Sequence, residues 1–499
     1  MSEIRFQAPV AMGEFVRRVV EGVERGGRFA GLIASSTGEG TRLIATVAHG
    51  GELDVEQTVV TDHTEGYPSI AARVPAARWY EREIRDLFGL AARGDGSLEA
   101  LVFPAAHDAD RPYVGDTRSA APVPLDLTPP ALVVAGEGVF TMSYGPVRSG
   151  VFESIEYVLE TPGEDIPYLD TRVFYKHRGV ETRFEGRSAR EGTLVAERCE
   201  GVASVAHAMA YCGALERIGV VAISPEACFV RVIHAELERI ANHLDSSIRH
   251  TEAAGQAVAY SRLSLHKETL QRLRARLCGS RFGRGVVQPG GVTGPPGLRA
   301  GELRSALDTL RTDLERDTKL LMNTPSFLDR LRGTGVLPTE IIGRFGALGP
   351  LARGSGVMED LRSSRPYAAY EELGYRLLEA SEDGDALARQ RVRLGEIEGA
   401  FALIDSAIDQ LDARGEPKAA QWSLPLPALD GEGFGWSEAP QGELLTWVEI
   451  RDGVLVRVKP RSASFHNLAL FPMAFPRDIL TDFAFIEASF GLSIAGVAS

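Results

Sequence analysis

Hydrophobic and polar residues alternate with two different periods along the chain, and the change of period divides it into parts. Near the N-terminus, residues 41–47 and 53–60 alternate apolar and polar side chains, a pattern typical of half-buried strands. Residues 14–25 and 77–88 instead repeat apolar side chains at helical spacing. The N-terminal part therefore predicts a small α/β domain.

The pattern after residue 130 is mainly helical. Ile233, Leu237, Ile240 and Leu244 recur at steps of four, three and four, which predicts a helix with one buried face. Similar periodicity runs through residues 298–321 and 386–413. Near the C-terminus, a stretch rich in proline and glycine at 417–440 precedes a strand-like segment at 444–458.

A proline-rich segment separates the two patterns. Six prolines fall between residues 104 and 130, and consecutive prolines disfavour a helix. We therefore expect an α+β fold in three parts. They are a small α/β domain at 1–103, an extended linker at 104–130, and a large, mainly helical domain with minor sheets at 131–499.

Charge and hydropathy narrow the function classes. The chain has 499 residues with 54 Lys+Arg against 68 Asp+Glu, a net charge of −14, which argues against broad nucleic-acid binding. No apolar core of a secretory signal occurs in residues 1–10. The most apolar stretch, 483–497, is interrupted by Glu487 and is too short to span a bilayer. We expect the chain itself to be soluble.

Cysteine spacing excludes several kinds of site. Cys199, Cys212, Cys228 and Cys278 are 13, 16 and 50 residues apart, so no Cys-x-x-Cys pair exists. Zinc ribbons, thioredoxin-type pairs and iron–sulfur runs all need such local pairs. So few thiols in so long a chain fit a reducing compartment better than a disulfide framework.

One pair of residues could handle protons. His207 follows Glu200 by seven residues, two helical turns, so both side chains could share a face. A histidine beside a partly buried carboxylate titrates near neutrality, although a structural hydrogen bond is the commoner use of such a pair. His234 and His243 are nine apart and do not form a His-Glu-x-x-His zinc motif.

Residues 79–89 mix charges of both signs with large apolar side chains. The residues alone predict an amphipathic helix with a solvated charged face, ended by Gly89. The same run, extended to residue 90, closely resembles the signature of the C-type subunit of NADH-quinone oxidoreductase, respiratory complex I.

Most of the chain after the linker resembles the D-type subunit of that enzyme. It is still more similar to the large subunit of membrane-bound group 4 nickel–iron hydrogenases of the formate hydrogenlyase and hydrogenase-4 type, in which C-like and D-like parts are fused. The landmarks are spread over much of the chain. They are 145–146, 163–164, 177–181, 197–198 with 207, 234–243, 289–292, 349–357, 360–362, 365–370 and 461–465.

The resemblance places four positions where the hydrogenases carry their nickel-binding cysteines. Here those positions hold Glu200, Ala203, Ser493 and Gly496, and Cys199 falls one residue short of the first. Nickel–iron chemistry needs soft thiolate ligands, which this set lacks. We therefore expect no metal at this site and no nickel–iron hydrogen activation.

The quinone-binding residues of the D-type family are also altered. Arg148 and Phe152 replace the two histidines of the family's Gly-Pro-x-His-x-x-x-His motif, and Gly201 aligns with the family's quinone-binding tyrosine. Glu200 keeps the family's acidic residue. The resemblance thus implies a cavity lined by Glu200, Arg198, His207 and Arg148, in which a quinone is a possible ligand.

The resemblance also implies a surrounding shell and an assembly. Six further residues would line the cavity or form a structural ion-pair network. They are Glu181, Arg353, Asp360, Arg362, Arg461 and Asp482. Iron–sulfur clusters would sit in a small-subunit-like partner. Integral membrane proteins, similar to antiporters and to the H-type subunit of complex I, would hold the assembly at the cytoplasmic side of the membrane, in NAD- and quinone-linked electron transport.

Three functions remain open. The first is an oxidoreductase subunit that couples redox chemistry to proton movement at a modified, nickel-free site. In that case Glu200, His207 and Arg198 are the candidate catalytic residues. The second is a connector that only transmits conformational change, and the third is a true nickel–iron hydrogenase.

Overall fold

A computed structural model describes residues 4–63, 66–94, 100–102, 133–134, 136–148, 153–379, 381–415 and 422–498. The expected linker at 104–130, and with it the expected domain boundary, lies outside these residues. Within the described chain no helix is long and apolar enough to cross a membrane.

Helices make up most of the regular structure, and several small sheets accompany them, so the expected α+β class is confirmed. The helices are α1 (Met12–Glu24), α2 (Arg78–Phe88), α3 (Val180–Phe184), α4 (Ala189–Ala196), α5 (Ser204–Ile218), α6 (Pro225–Ala253), α7 (Ala257–Cys278), α8 (Ala300–Leu321), α9 (Pro325–Leu331), α10 (Thr339–Phe345), α11 (Gly349–Arg353), α12 (Leu361–Ser364), α13 (Ala386–Arg414), α14 (Ala463–Leu468), α15 (Phe483–Phe490) and α16 (Ile494–Val497). The strands are β1 (Ile4–Phe6), β2 (Arg28–Thr37), β3 (Gly40–His49), β4 (Glu52–Val60), β5 (Tyr67–Pro68), β6 (Ala92–Arg93), β7 (Phe140–Tyr144), β8 (Glu156–Thr161), β9 (Tyr168–Arg172), β10 (Val287–Gln288), β11 (Gly291–Val292), β12 (Gly431–Ala439), β13 (Gly442–Arg451) and β14 (Val454–Arg461).

The N-terminal part is a four-stranded sheet packed against α1. The strands lie in the order β1-β4-β3-β2, with β1 parallel to β4 and the other pairs antiparallel. The alternating residues 41–47 and 53–60 form β3 and β4, and the predicted helices correspond to α1 and α2. These four sequence predictions are confirmed.

The larger part is built around α6, whose surface is buried along most of its length. It packs against α13, α7 and α15, while a meander of β12, β13 and β14 packs on α5. The predicted strand at 444–458 is in fact two strands, because the chain reverses at Asp452 and Gly453. Strand β12 lies in the stretch rich in proline and glycine, for which the sequence pattern predicted no strand.

Helix α2 joins the two parts through charged side chains. Gly89 ends the helix in the left-handed conformation, as predicted. However, the acidic residues of the charged face are buried rather than solvated: Glu81, Glu83 and Asp86 are 4%, 7% and 1% exposed. Glu81 and Asp86 accept backbone N–H groups, and Glu83 bonds to Lys459 of β14 at 2.8 Å. The expectation of a solvated face was therefore wrong.

Candidate functional site

The turn before α5 places a carboxylate beside an imidazole. Glu200 lies in this turn and His207 in the first turns of α5, and they are 1% and 2% exposed. The carboxylate of Glu238, on α6, accepts the N–H groups of Val205 and Ala206 at 2.9 and 3.0 Å, which fixes the start of α5. His207 Nε2 then lies 3.7 Å from Glu200 Oε1. The predicted proximity of the pair is confirmed, although Glu200 is not itself helical.

The electrostatics of this pair favour the imidazolium. Burial lowers the pKa of His207, but the neighbouring Cys199 sulfur and Glu200 carboxylate outweigh it and raise that pKa to about 10. Glu200 Oε1 and His207 Nε2 have no hydrogen-bond partner among the described residues. The pair is therefore a buried ion pair whose facing atoms are not already committed to other bonds.

The C-terminal segment closes over the Glu200 carboxylate at Gly496. A Cβ atom at residue 496 would lie 1.7 Å from Glu200 Oε1 and 2.3 Å from its Cδ. The carboxylate thus fills the space that a side chain at 496 would occupy. Glu200 and Gly496 are two of the four positions aligned with nickel ligands, and here they are in contact, with the carboxylate packed on the glycine.

The other two aligned positions provide no thiol either. Ala203 is fully buried at the start of α5, and Ser493 lies before α16, where its N–H donates to Ser464 Oγ at 3.1 Å. A nickel–iron centre does not fit this donor set, because soft thiolates are absent and Glu200 fills the space beside Gly496. No group of three His, Cys, Asp or Glu suited to a metal ion occurs among the described residues.

A cavity of about 210 Å³ lies next to this pair. Its walls come from the loop at Gly201 and Val202, from α6, and from the C-terminal segment 491–495. Neither Glu200 nor His207 is part of the wall. However, Glu200 directly precedes Gly201, and Gly496 directly follows Ala495, so the carboxylate lies one residue behind the lining on two sides.

Arg148 lines the cavity, as predicted, but an acidic partner holds it. Its guanidinium forms a bidentate pair with Glu487 of α15, at 3.0 and 2.7 Å. The same guanidinium lies over the rings of Tyr144 and Tyr157, at 5.0 and 5.3 Å from their centroids. The Tyr157 hydroxyl also donates to Glu487 at 3.1 Å.

The residues present do not reproduce the quinone set implied by the resemblance. An arginine locked to Glu487 stands for one histidine, and Phe152, which stands for the other, lies outside the described residues. At Gly201 an added Cβ would meet nothing within 4 Å, so the family's tyrosine is replaced by open space. We therefore derive no reaction step through a quinone.

Arg198 does not lie in the cavity lining, which corrects the expectation. Its side chain is 55% exposed, and its guanidinium donates to the Leu194 carbonyl at 2.6 Å. Arg198 follows the end of α4, and its side chain folds back onto the Leu194 carbonyl of that helix.

Three of the remaining shell residues form ion pairs elsewhere. Glu181 bonds to Arg457 and Lys459 at 2.6 and 2.5 Å, and these cations lower its pKa although burial acts in the opposite direction. Arg461 is paired with Glu443, and Asp482 pairs with Arg330 at 3.0 Å at the start of α15. None of the three lines the cavity.

Arg353, Asp360 and Arg362 belong to one buried ion-pair network. Arg353 Nη2 donates to Glu396 at 2.6 Å, and Arg362 binds Asp360 through two bonds of 2.7 and 3.0 Å. All three side chains are at most 2% exposed and none lines the 210 Å³ cavity. Of the two roles considered, the contacts favour the ion-pair network.

Sequence reasoning did not find Glu487 as a member of the site. In the sequence it stands only as an interruption of an apolar stretch, yet it anchors Arg148 and lines the cavity. A single acidic residue within an otherwise apolar helix is a usable signal, because such a charge is retained only with a partner.

Two family models match the chain. They are "Respiratory-chain NADH dehydrogenase, 30 Kd subunit" over residues 32–119 and "Respiratory-chain NADH dehydrogenase, 49 Kd subunit" over residues 255–428. The first match includes the C-like run at 79–90, and the second includes the D-like landmarks between residues 289 and 370.

Several curated relatives align over most of their length. Membrane-bound hydrogenase subunit alpha of Pyrococcus furiosus is 32% identical over 69% of this chain and 84% of its own. Formate hydrogenlyase subunit 5 of Escherichia coli is 29% identical over 80% of this chain and 71% of its own. The fused C/D subunit of NADH-quinone oxidoreductase from Gluconacetobacter diazotrophicus is 27% identical over 86% of this chain and 79% of its own.

Proposed function

Because the chain belongs to the family that unites membrane-bound hydrogenase large subunits with the 49 Kd subunit of respiratory NADH dehydrogenase, we propose that it is a peripheral subunit of a membrane-attached oxidoreductase complex. In this proposal its buried Glu200–His207 pair couples redox or conformational change to a proton, without nickel. The complex would lie at the cytoplasmic face of the membrane.

The observation that carries the proposal is the packing of Glu200 on Gly496. It supports a site in which a carboxylate has taken the place of a metal ligand, rather than one that has merely lost its ligands. The carboxylate faces an imidazolium across 3.7 Å in a buried environment, where both groups interact strongly.

Proton transfer within the pair needs a small movement. Heavy atoms exchange a proton directly at about 2.6–3.2 Å, so Nε2 and Oε1 must approach by roughly 0.5–1 Å. The loop at Gly201 and Val202 carries Glu200 and forms a cavity wall. A change in that wall would therefore alter both the separation of the pair and its affinity for the proton.

Electrons would reach the complex through a separate iron–sulfur subunit, since the described residues contain no Cys-x-x-Cys or other cluster motif. Antiporter-like membrane subunits would be the partners that use the proton or the conformational change. Both partner classes come from the family relationship and are part of the proposal.

The test is a comparison of purified native complexes containing the wild-type chain, Glu200→Gln or Glu340→Gln. Glu340 is an exposed carboxylate on α10 and serves as the matched control. We expect all three complexes to assemble, without stoichiometric nickel. Dye-linked electron transfer with methyl viologen or decylubiquinone, or proton uptake in proteoliposomes, should fall at least tenfold only in Glu200→Gln.

A connector without chemistry is the second candidate, and the locked Arg148–Glu487 pair favours it, because that pair closes one side of the cavity. If Glu200→Gln leaves both rates unchanged, the connector is supported and coupling at Glu200 is refuted. One nickel per complex would instead establish the hydrogenase hypothesis and refute both.

A further inference from the structure

A second group of ionisable side chains lies buried between α6, α11, α13 and β12, apart from the Glu200 site. All of its members are at most 4% exposed. Its carboxylates are Glu236, Asp360, Glu396 and Glu438, and its guanidiniums are Arg239, Arg353 and Arg362. We call this group the Glu438 cluster.

Within the cluster, Glu438 has the weakest pairing. Glu396 and Asp360 each accept guanidinium bonds of 2.6–2.7 Å. Glu438 Oε1 is 3.2 Å from Arg353, and its Oε2 accepts only the Leu361 N–H at 3.2 Å. Protonation of Glu438 therefore gives up less hydrogen bonding to guanidinium groups than protonation of Glu396 or Asp360 would.

His243 does not supply the missing cation. Its Nε2 lies 2.8 Å from Glu396, but burial lowers the pKa of His243 to about 4, so the ring is neutral at pH 7. The four carboxylates and three guanidiniums that pair with one another give the cluster a charge of −1 when every carboxylate is ionised. The nearby guanidinium of Arg393 donates instead to the carbonyls of Arg389 and Phe490. Within the cluster itself, this excess negative charge favours binding one proton, at the carboxylate with the weakest pairing.

A neighbouring group carries the opposite excess. Arg28, Arg365 and Arg461 surround Glu443, and Arg28 also binds Glu359 at 2.9 Å, so three guanidiniums face two carboxylates. Glu438 and Glu443 are directly opposite on β12 and β13. Like charges at such positions repel, and the arginines hold Glu443 in its ionised form.

A cavity of about 10 Å³ separates the two groups. It is lined by Glu438, Asp360, Glu443, Arg28 and Glu359, among others. This volume is close to the minimum needed for one water molecule. Arg28 Nη1 has no hydrogen-bond partner among the described residues, and Glu359, which also lines the cavity, has a side chain that is 26% exposed.

The geometry assigns a proton-binding site to Glu438, which exchanges with solvent through this cavity and whose proton affinity is lowered by Arg28 of the N-terminal sheet, across the cavity. On release, the proton passes from a Glu438 carboxyl oxygen to water and no other bond changes. This inference does not rest on the proposed function, since it concerns a different group of residues.

The charges around Glu438 agree with this assignment. Burial and Asp360 raise its pKa, while Arg353, Arg362 and Arg239 lower it, and the balance lies at about 7. Glu236, Glu396 and Glu443 add negative charge from α6, α13 and β13. His207 of α5 is paired with Glu200 instead.

Infrared difference spectroscopy of the full chain tests the assignment through the carbonyl band of protonated carboxyl groups. We expect a component that titrates near pH 7 in the wild type and is missing from Glu438→Gln. Glu238 and Asp478, whose pKa values are raised to about 6, remain in both proteins and cancel in the difference. The exposed Glu340→Gln should match the wild type.

Arg28→Gln gives an independent readout that does not need Glu438 to be replaced. Removing the cation across the cavity should move the midpoint to higher pH, corresponding to at least threefold tighter proton binding. The assignment is overturned if the band persists in folded Glu438→Gln, or if Arg28→Gln leaves every midpoint unchanged. It is also overturned if no wild-type carboxyl titrates above pH 6.5.

Discussion

Replacing Gly496 by alanine tests the contact on which the candidate site depends. The new methyl would lie 1.7, 2.3 and 2.7 Å from Oε1, Cδ and Cγ of Glu200, against about 3.5–4.0 Å for ordinary carbon contacts. The carboxylate would have to withdraw by about 1–2 Å from a place where it is 1% exposed.

Two costs follow from that withdrawal. Overpacking a buried site costs about 1–3 kcal/mol. Separating Glu200 from His207 weakens a buried ion pair, for which complete loss of one partner costs about 3–5 kcal/mol. We expect Gly496→Ala to destabilise the chain by about 2–4 kcal/mol.

The assay is a double-mutant cycle read from denaturant unfolding of the four proteins under one set of conditions. In the Glu200→Ala background these three contacts are absent, so Gly496→Ala should cost less than about 0.5 kcal/mol. Gly201→Ala is the matched control from the same site, because its Cβ meets nothing within 4 Å. It should stay within about 0.5 kcal/mol of the wild type.

Two results would refute the reasoning. Gly496→Ala could be as stable as the wild type, which would mean that Glu200 does not fill the space beside residue 496. Alternatively, the same destabilisation in both backgrounds would place its origin in the backbone rather than in the carboxylate.

Two further predictions concern charge. The folded-state pKa of His207, about 10, exceeds its unfolded value of about 6.5. Its stabilising contribution is therefore complete below about pH 6.5 and is lost as the pH rises towards 10, with a slope of up to about 1.4 kcal/mol per pH unit. Unfolding midpoints measured across this window should fall less steeply for His207→Gln, and an unchanged slope would contradict the ion pair. Lys459→Met leaves Glu83 and Glu181 without their shared cation and should lower the free energy of unfolding by about 3–5 kcal/mol, measured by thermal unfolding. The control Lys319→Met, at an exposed lysine, should lower it little. A loss below about 1 kcal/mol for Lys459→Met would contradict the buried bridge.

Local periodicity was sufficient to predict α1, α2, α6, α8 and α13 and the strands β3 and β4, because amphipathic burial acts over a few residues. It predicted no strand at β12, where Gly431, Gly433 and Gly435 interrupt the pattern of side chains. In the structure a Cβ at Gly435 would lie 1.9 Å from the Ala210 carbonyl, so glycine is what allows the strand to pack on α5. That requirement comes from a partner more than two hundred positions away and leaves no local pattern.

The candidate site divides in the same way. Glu200 and His207 are close in sequence, and their spacing was enough to predict that they meet. Arg148 and Glu487 are 339 positions apart, and only the tertiary structure pairs them. Arg198 shows that closeness in sequence is not sufficient. It is two residues from Glu200, yet its side chain is exposed and does not line the cavity.

The buried bridge from Glu83 through Lys459 to Glu181 bears on how the two parts of the chain are held together. Docking the N-terminal sheet is an intramolecular event, with an effective concentration that reaches millimolar for short flexible connections. Each doubling of the connecting segment would weaken docking by only about 0.6 kcal/mol, less than loss of the lysine. The buried bridge therefore contributes more to the association than a change in the length of the connecting segment does. Separately produced N-terminal and C-terminal halves that keep these three residues should recognise each other without the segment that joins them.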